Sequence, residues 1–84
     1  MPDIQSLIER VEAGERSNAL DVLIEVALFR PDENYASVRA NAAGSKVIYR
    51  SHIGKETTHL AADWTMFPER ALGDLRSRAQ QGEG

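Results

Sequence analysis

Tyr35-Ala36-Ser37-Val38-Arg39-Ala40-Asn41-Ala42 is the stretch that decides the fold. Small apolar residues at 36, 38, 40 and 42 alternate with Tyr35, Ser37, Arg39 and Asn41, and a period of two places one set on each face of a strand. Upstream, apolar residues recur at helical spacing, so the chain changes its mode of folding here. Downstream, Ala43-Gly44-Ser45 reads as a turn. Lys46-Val47-Ile48-Tyr49-Arg50 is then a second strand, because β-branched and aromatic side chains suit a pleated surface. Ser51 to Lys55 turns around Gly54, and Glu56 to Asp63 reads as a third strand, favoured by Thr57 and Thr58. Short links between successive strands predict an antiparallel meander.

The segments on either side read as helices. Ile4, Leu7, Ile8 and Val11 form one apolar stripe, with Asp3 placed to cap the first helix and Gly14 to end it. Ser17 or Asn18 opens a second helix whose apolar residues, Leu20, Val22, Leu23, Ile24, Val26, Ala27, Leu28 and Phe29, cover most of its circumference. Only Asp21 and Glu25 interrupt them, and Pro31 stops it. A helix apolar nearly all round is buried on more than one side, which places this one between the first helix and the sheet. Pro68 suits the first position of a third helix running to about Ala79, with Ala71, Leu72, Leu75 and Ala79 as its stripe. The expectation is a single α+β domain over residues 1–79, order ααβββα, with helices on one face of a three-stranded sheet and a disordered tail over 80–84.

At 84 residues with no cysteine, the chain has one small core and no disulfide or thiolate metal site. No run approaches the roughly 20 apolar residues that span a bilayer, and the acidic start lacks the basic region of a signal peptide. These features predict a cytoplasmic protein without a membrane partner.

Charge is unevenly divided. Residues 1–34 carry eight acids against three bases, a net of −5, and residues 35–84 carry seven bases against five acids, a net of +2. Opposite-signed halves orient partners. If Ala36, Val38, Ala40, Ala42, Val47, Tyr49, Leu60 and Ala62 point into the core, the open face gathers Arg39, Lys46, Arg50 and His59, with Tyr35 and Ile48 among them. These six are the candidate partner-binding residues. Glu9, Glu12 and Glu15 form a second, acidic candidate face, able to present carboxylates where a partner expects phosphates. Each group also has the plain reading of solvated surface charge.

Chemistry finds little support. His52 and His59 are the only histidines, and His59 and Asp63 lie two pairs apart on a strand, too far to share a metal ion. Ser51 beside His52 lacks the geometry of a nucleophile and its base. Gly14, Gly44, Gly54 and Gly73 are isolated, so no phosphate-cradling loop is present. The expectation is a protein without enzymatic activity or cofactor. Trp64-Thr65-Met66-Phe67 concentrates large apolar side chains before Pro68, with Trp64 read as a lid on the core and, if exposed, as an anchor for a protein partner.

The opening Asp3-Ile4-Gln5-Ser6-Leu7-Ile8-Glu9-Arg10-Val11-Glu12-Ala13, followed by Leu20-Asp21 and Ala27-Leu28, resembles the start of the phage ABA-sandwich domain family of small phage and prophage proteins. Phe67-Pro68-Glu69-Arg70-Ala71-Leu72 with Leu75-Arg76 is similar to that family's closing helix. The middle departs from it, because Ala43-Gly44-Ser45-Lys46-Val47 stands where an aromatic-rich segment is expected. The resemblance implies a mobile-element origin and, among small cysteine-free phage proteins, an anti-CRISPR inhibitor that binds a host CRISPR effector complex and occludes its DNA binding. The rival expectations are a nucleic-acid-binding accessory protein using Arg39, Lys46 and Arg50 on phosphates, and a ligand-sequestering protein with a pocket between protomers or a phage structural accessory.

Overall fold

In the computed structural model, which describes residues 3–82, the order is the expected one. Helix α1 spans Ile4–Glu12, α2 Asn18–Leu28, strands β1 Tyr35–Ala40, β2 Val47–Ser51 and β3 Glu56–His59, followed by a 3-10 turn at Trp64–Met66 and helix α3 Pro68–Gly82. The sheet order is β1-β2-β3, both pairs antiparallel.

Local chemistry starts each helix. The Asp3 carboxylate accepts the Ser6 amide at 2.7 Å, and Ser17 Oγ accepts the Leu20 amide at 3.1 Å, each satisfying a helix-end donor that has no partner within its own helix. Gly14 adopts φ +87°, a left-handed conformation that ends the first helical segment cheaply only without a Cβ.

The core is a helical cluster. Leu7, Ile8 and Val11 of α1 meet Leu20 and Ile24 of α2 and Ala71 and Leu75 of α3, all buried. Burying each large aliphatic side chain contributes about 1.5–3 kcal/mol. Helix α1 lies chiefly along α3, while α2 touches both other helices and also β1 and β2. The second helix therefore mediates between helices and sheet, as its all-round apolar pattern predicts.

Four expectations change. Strand β3 stops at His59 instead of Asp63, and Leu60, expected inside, is 75 % exposed. The chain leaves the sheet here because the Ala62 amide bonds to Glu25 on α2, at 3.4 Å, instead of continuing a ladder. The register pairs Val47 with His59 and Tyr49 with Thr57, which sets His59 on the helix side of the sheet, not the open side. An irregularity between Tyr35 and Ser37 turns Tyr35 the same way, its ring centroid 5.0 Å from that of Tyr49. Finally, α3 continues through Gln80 and Gln81 to Gly82 where a disordered tail was expected, consistent with the good helix propensity of glutamine. Glu83 and Gly84 of that expected tail lie outside the described residues.

Candidate functional site

The outer face of the sheet is the surface on which the candidate residues converge. Arg39 on β1, Ile48 on β2 and Thr58 on β3 stand opposite one another, and beside them Ser37, Arg50 and Glu56 form a second cross-strand row. Ser37, Arg39, Arg50, Glu56 and Thr58 are exposed and Ile48 is half-buried. Lys46, exposed, precedes β2 in the parity of Ile48 and Arg50. The structure thus brings together Arg39, Lys46, Ile48 and Arg50, and leaves out Tyr35 and His59.

This face is not uniformly cationic. The Arg39 guanidinium donates to both oxygens of Glu56, at 2.7 and 3.1 Å. The hydrogen bonds from Arg39, and then the fields of Arg39 and Arg50, hold the Glu56 carboxyl below the usual range, and the same contact raises Arg39. Arg50 reaches toward the β2–β3 turn, where a Cβ on Gly54 would come 3.7 Å from its Nη2. The tip of that turn carries Ile53, 90 % exposed.

The acidic candidates behave differently. Glu12 accepts from Arg76 of α3 at 2.6 Å, and Glu15 accepts from Arg10 at 2.8 Å. The Arg10 hydrogen bond lowers the Glu15 carboxyl. Among the described residues Glu9 meets only Gln5, at 3.5 Å. Two of the three carboxylates therefore hold cations of the same chain, which weakens any negative field from this flank.

Sequence reasoning missed the polar centre of the inner side. Glu25, read from the sequence as an interruption of the apolar second helix, turns inward: its Oε2 accepts the Tyr49 hydroxyl at 2.6 Å, and its Oε1 accepts the Trp64 indole N–H at 2.8 Å. Desolvation of the Tyr49 hydroxyl, and then its bond to Glu25, push that hydroxyl far above the ordinary tyrosine range. One turn earlier on α2, Asp21 is only 7 % exposed and accepts the Thr65 amide at 2.7 Å. The available signal was that these two acids are four apart in an otherwise apolar helix. Phe29, Tyr35 and His59 ring Tyr49 at centroid distances of 5.0–5.9 Å. Beside this centre a cleft of about 330 Å³ is walled by Glu25, Phe29, Tyr49, Trp64, Asp74 and Arg78, among others. Trp64 is half-buried, as a lid would be, with the Arg70 guanidinium 6.0 Å from its ring centroid, while Met66 and Phe67 remain exposed.

His52 Nε2 lies 2.6 Å from the Asp32 carbonyl oxygen and His59 Nε2 lies 2.9 Å from Thr57 Oγ1. Among the described residues no group of three or more histidine, aspartate or glutamate side chains converges as a metal site would require, and no helix is long and apolar enough to cross a membrane. Comparison of the chain with known protein families, with curated proteins and with solved structures finds no match.

Proposed function

We propose that this protein is a non-enzymatic binding protein that works by covering part of a larger assembly, and that its target is a host CRISPR effector complex whose DNA binding it occludes. The observation that carries the reading is the outer sheet face, where Arg39, Lys46 and Arg50 surround Ile48 on a surface that no helix of the described residues covers. Cations fix orientation and exclude wrong partners, while a central apolar residue supplies area that gains from leaving water. The likeness of the two ends of the chain to small phage proteins supports the choice of target.

A nucleic-acid-binding accessory role uses the same cations, but Glu56 stands in their midst and would face the phosphates. The chain's overall charge of −3 opposes a polyanion as well.

The test is a gel-shift assay of purified effector complexes on labelled target DNA. Stoichiometric amounts of the protein should abolish the shifted band, and the double variant Arg39→Glu, Arg50→Glu should restore it. If every effector type tested binds DNA undisturbed by excess protein, the proposed target is wrong. A direct shift of DNA by the protein alone, weakening steeply with salt, would favour the accessory role.

A further inference from the structure

The outer face already holds one carboxylate, and the way it holds it indicates what a partner must bring. Arg39 lies on β1 and Glu56 on β3, so their two-pronged contact runs from one edge of the sheet to the other, across β2. The cross-strand neighbour of Arg39 on β2 is Ile48, and that of Glu56 is Arg50. The Arg39 side chain therefore passes beside Ile48 to reach its carboxylate. Arg50, the cross-strand neighbour of Glu56, makes no ion pair with it, reaches toward the β2–β3 turn and acts on it only through its field. Paired N–H donors matched to two oxygens hold a carboxylate here and match phosphate oxygens equally, so the choice between them falls to the charges around the pair. It is also exchangeable, because the Arg39 and Glu56 side chains remain 54 % and 40 % exposed, and ion pairs in water are weak.

We propose that Arg39 and Arg50 form a receiving site for the carboxylates of an acidic protein segment, with Ile48 as its apolar centre, and that Glu56 is a built-in competitor which such a segment displaces. The proposal rests on the reading of the outer face as the contact surface and specifies the partner's chemistry there. The charge pattern chooses the occupant. Three cations, Arg39, Lys46 and Arg50, face one anion. A partner side chain that repeats the Glu56 contact neutralises Arg39, leaves Arg50 to balance Glu56, and brings an adjoining apolar residue onto Ile48. A nucleic-acid backbone makes poorer use of the same surface: it sets phosphates against Glu56, finds only three cations, and gains little from Ile48.

The expected sign is a gain: removing Glu56 from the site should strengthen binding by freeing the protein's own cations. The full chain, isotope-labelled, is titrated with a short peptide of aspartate and glutamate residues around one leucine, and amide shifts are followed. Shifts should centre on Arg39, Ile48 and Arg50, and Glu56→Gln should tighten the peptide by about fivefold, the scale of one exposed ion pair released. Arg39→Gln should weaken it instead. Glu33→Gln, the same change of charge on an exposed loop, controls for net charge and should leave affinity as it was. The proposal fails if Glu56→Gln, folded by circular dichroism, binds no tighter than the parent or no tighter than Glu33→Gln. It fails equally if the peptide does not bind, or if duplex DNA of equal charge binds the parent more tightly. Inhibition of an effector complex is a separate readout: it can be absent while the peptide result stands, or present while the peptide result fails.

Discussion

Two glutamates, one on each side of the same sheet, have opposite roles. Glu25 on the inner side accepts from three neutral donors, the Tyr49 hydroxyl, the Trp64 indole and the Ala62 amide, which come from β2, the 3-10 turn and the link before it. Glu56 on the outer side accepts from one guanidinium in contact with water. Both are well bonded, so the count of hydrogen bonds does not distinguish them. The difference lies in what each would leave behind. The Tyr49 and Trp64 donors of Glu25 sit in a half-buried seam where few replacements are at hand, whereas Arg39 released from Glu56 is solvated at once. One carboxylate holds the sheet and the linking segment to α2, and the other is free to be exchanged.

The largest effect that tests this contrast is Glu25→Ala, which should cost about 2–3 kcal/mol by stranding the Tyr49 and Trp64 donors. Urea unfolding followed through Trp64, the chain's single tryptophan, measures it directly. A cost no larger than that of Glu56→Gln would erase the distinction. Tyr49→Phe keeps the ring among its aromatic neighbours and removes one hydrogen bond, so the expected loss is about 1 kcal/mol.

That variant also sharpens a pH prediction. The folded-state pKa of Tyr49 is raised by burial and by Glu25. Its contribution is therefore complete below the unfolded tyrosine pKa of about 10 and is lost as pH rises above it. In Tyr35→Phe, where Tyr49 is the only tyrosine, phenolate absorbance should appear together with unfolding and not before it. Stability in Tyr49→Phe should fall less steeply over the same alkaline range.

The smallest effect is expected at Glu56→Gln, whose melting temperature should fall by a few degrees at most in low salt and by less in high salt, because the exposed pair that competes with the peptide stabilises the free fold to the same small extent. The folded pKa of Glu56 is lowered, so its minor contribution is present above the ordinary carboxylate range and lost only as pH falls through the depressed value. A drop well above about ten degrees in calorimetry would show that the outer contact is structural and would undercut its exchange.

Helix caps, element order and the mediating position of α2 were legible because they depend on near neighbours in the chain: Asp3 and Ser17 each act three residues away. The outer set Arg39, Ile48 and Arg50 followed from period two alone. Side-chain direction failed where one residue of offset decides it. The irregularity after Tyr35 is invisible in an alternating pattern, and the apolar Leu60 and Ala62 suggested a longer β3 in the other register. The inward turn of Glu25 depends on Ala62 and Trp64, 37 and 39 residues away, and no local pattern encodes a meeting at that range. The Arg39–Glu56 contact escaped notice for the same reason, since an edge-to-edge pair appears only once three strands are registered.

The packing of α1 along α3, clasped by Glu12 and Arg76 sixty-four positions apart, bears on how the molecule comes into being. During synthesis the first helix can meet Leu20 and Ile24 of α2 early, but its chief mate, α3, follows only after the whole sheet. Such distant closure slows folding and prolongs exposure of Leu7, Ile8 and Val11 to wrong neighbours. A ribosome-bound intermediate lacking α3 should therefore be a ready client for chaperones, whereas a chain that has added α3 should release them.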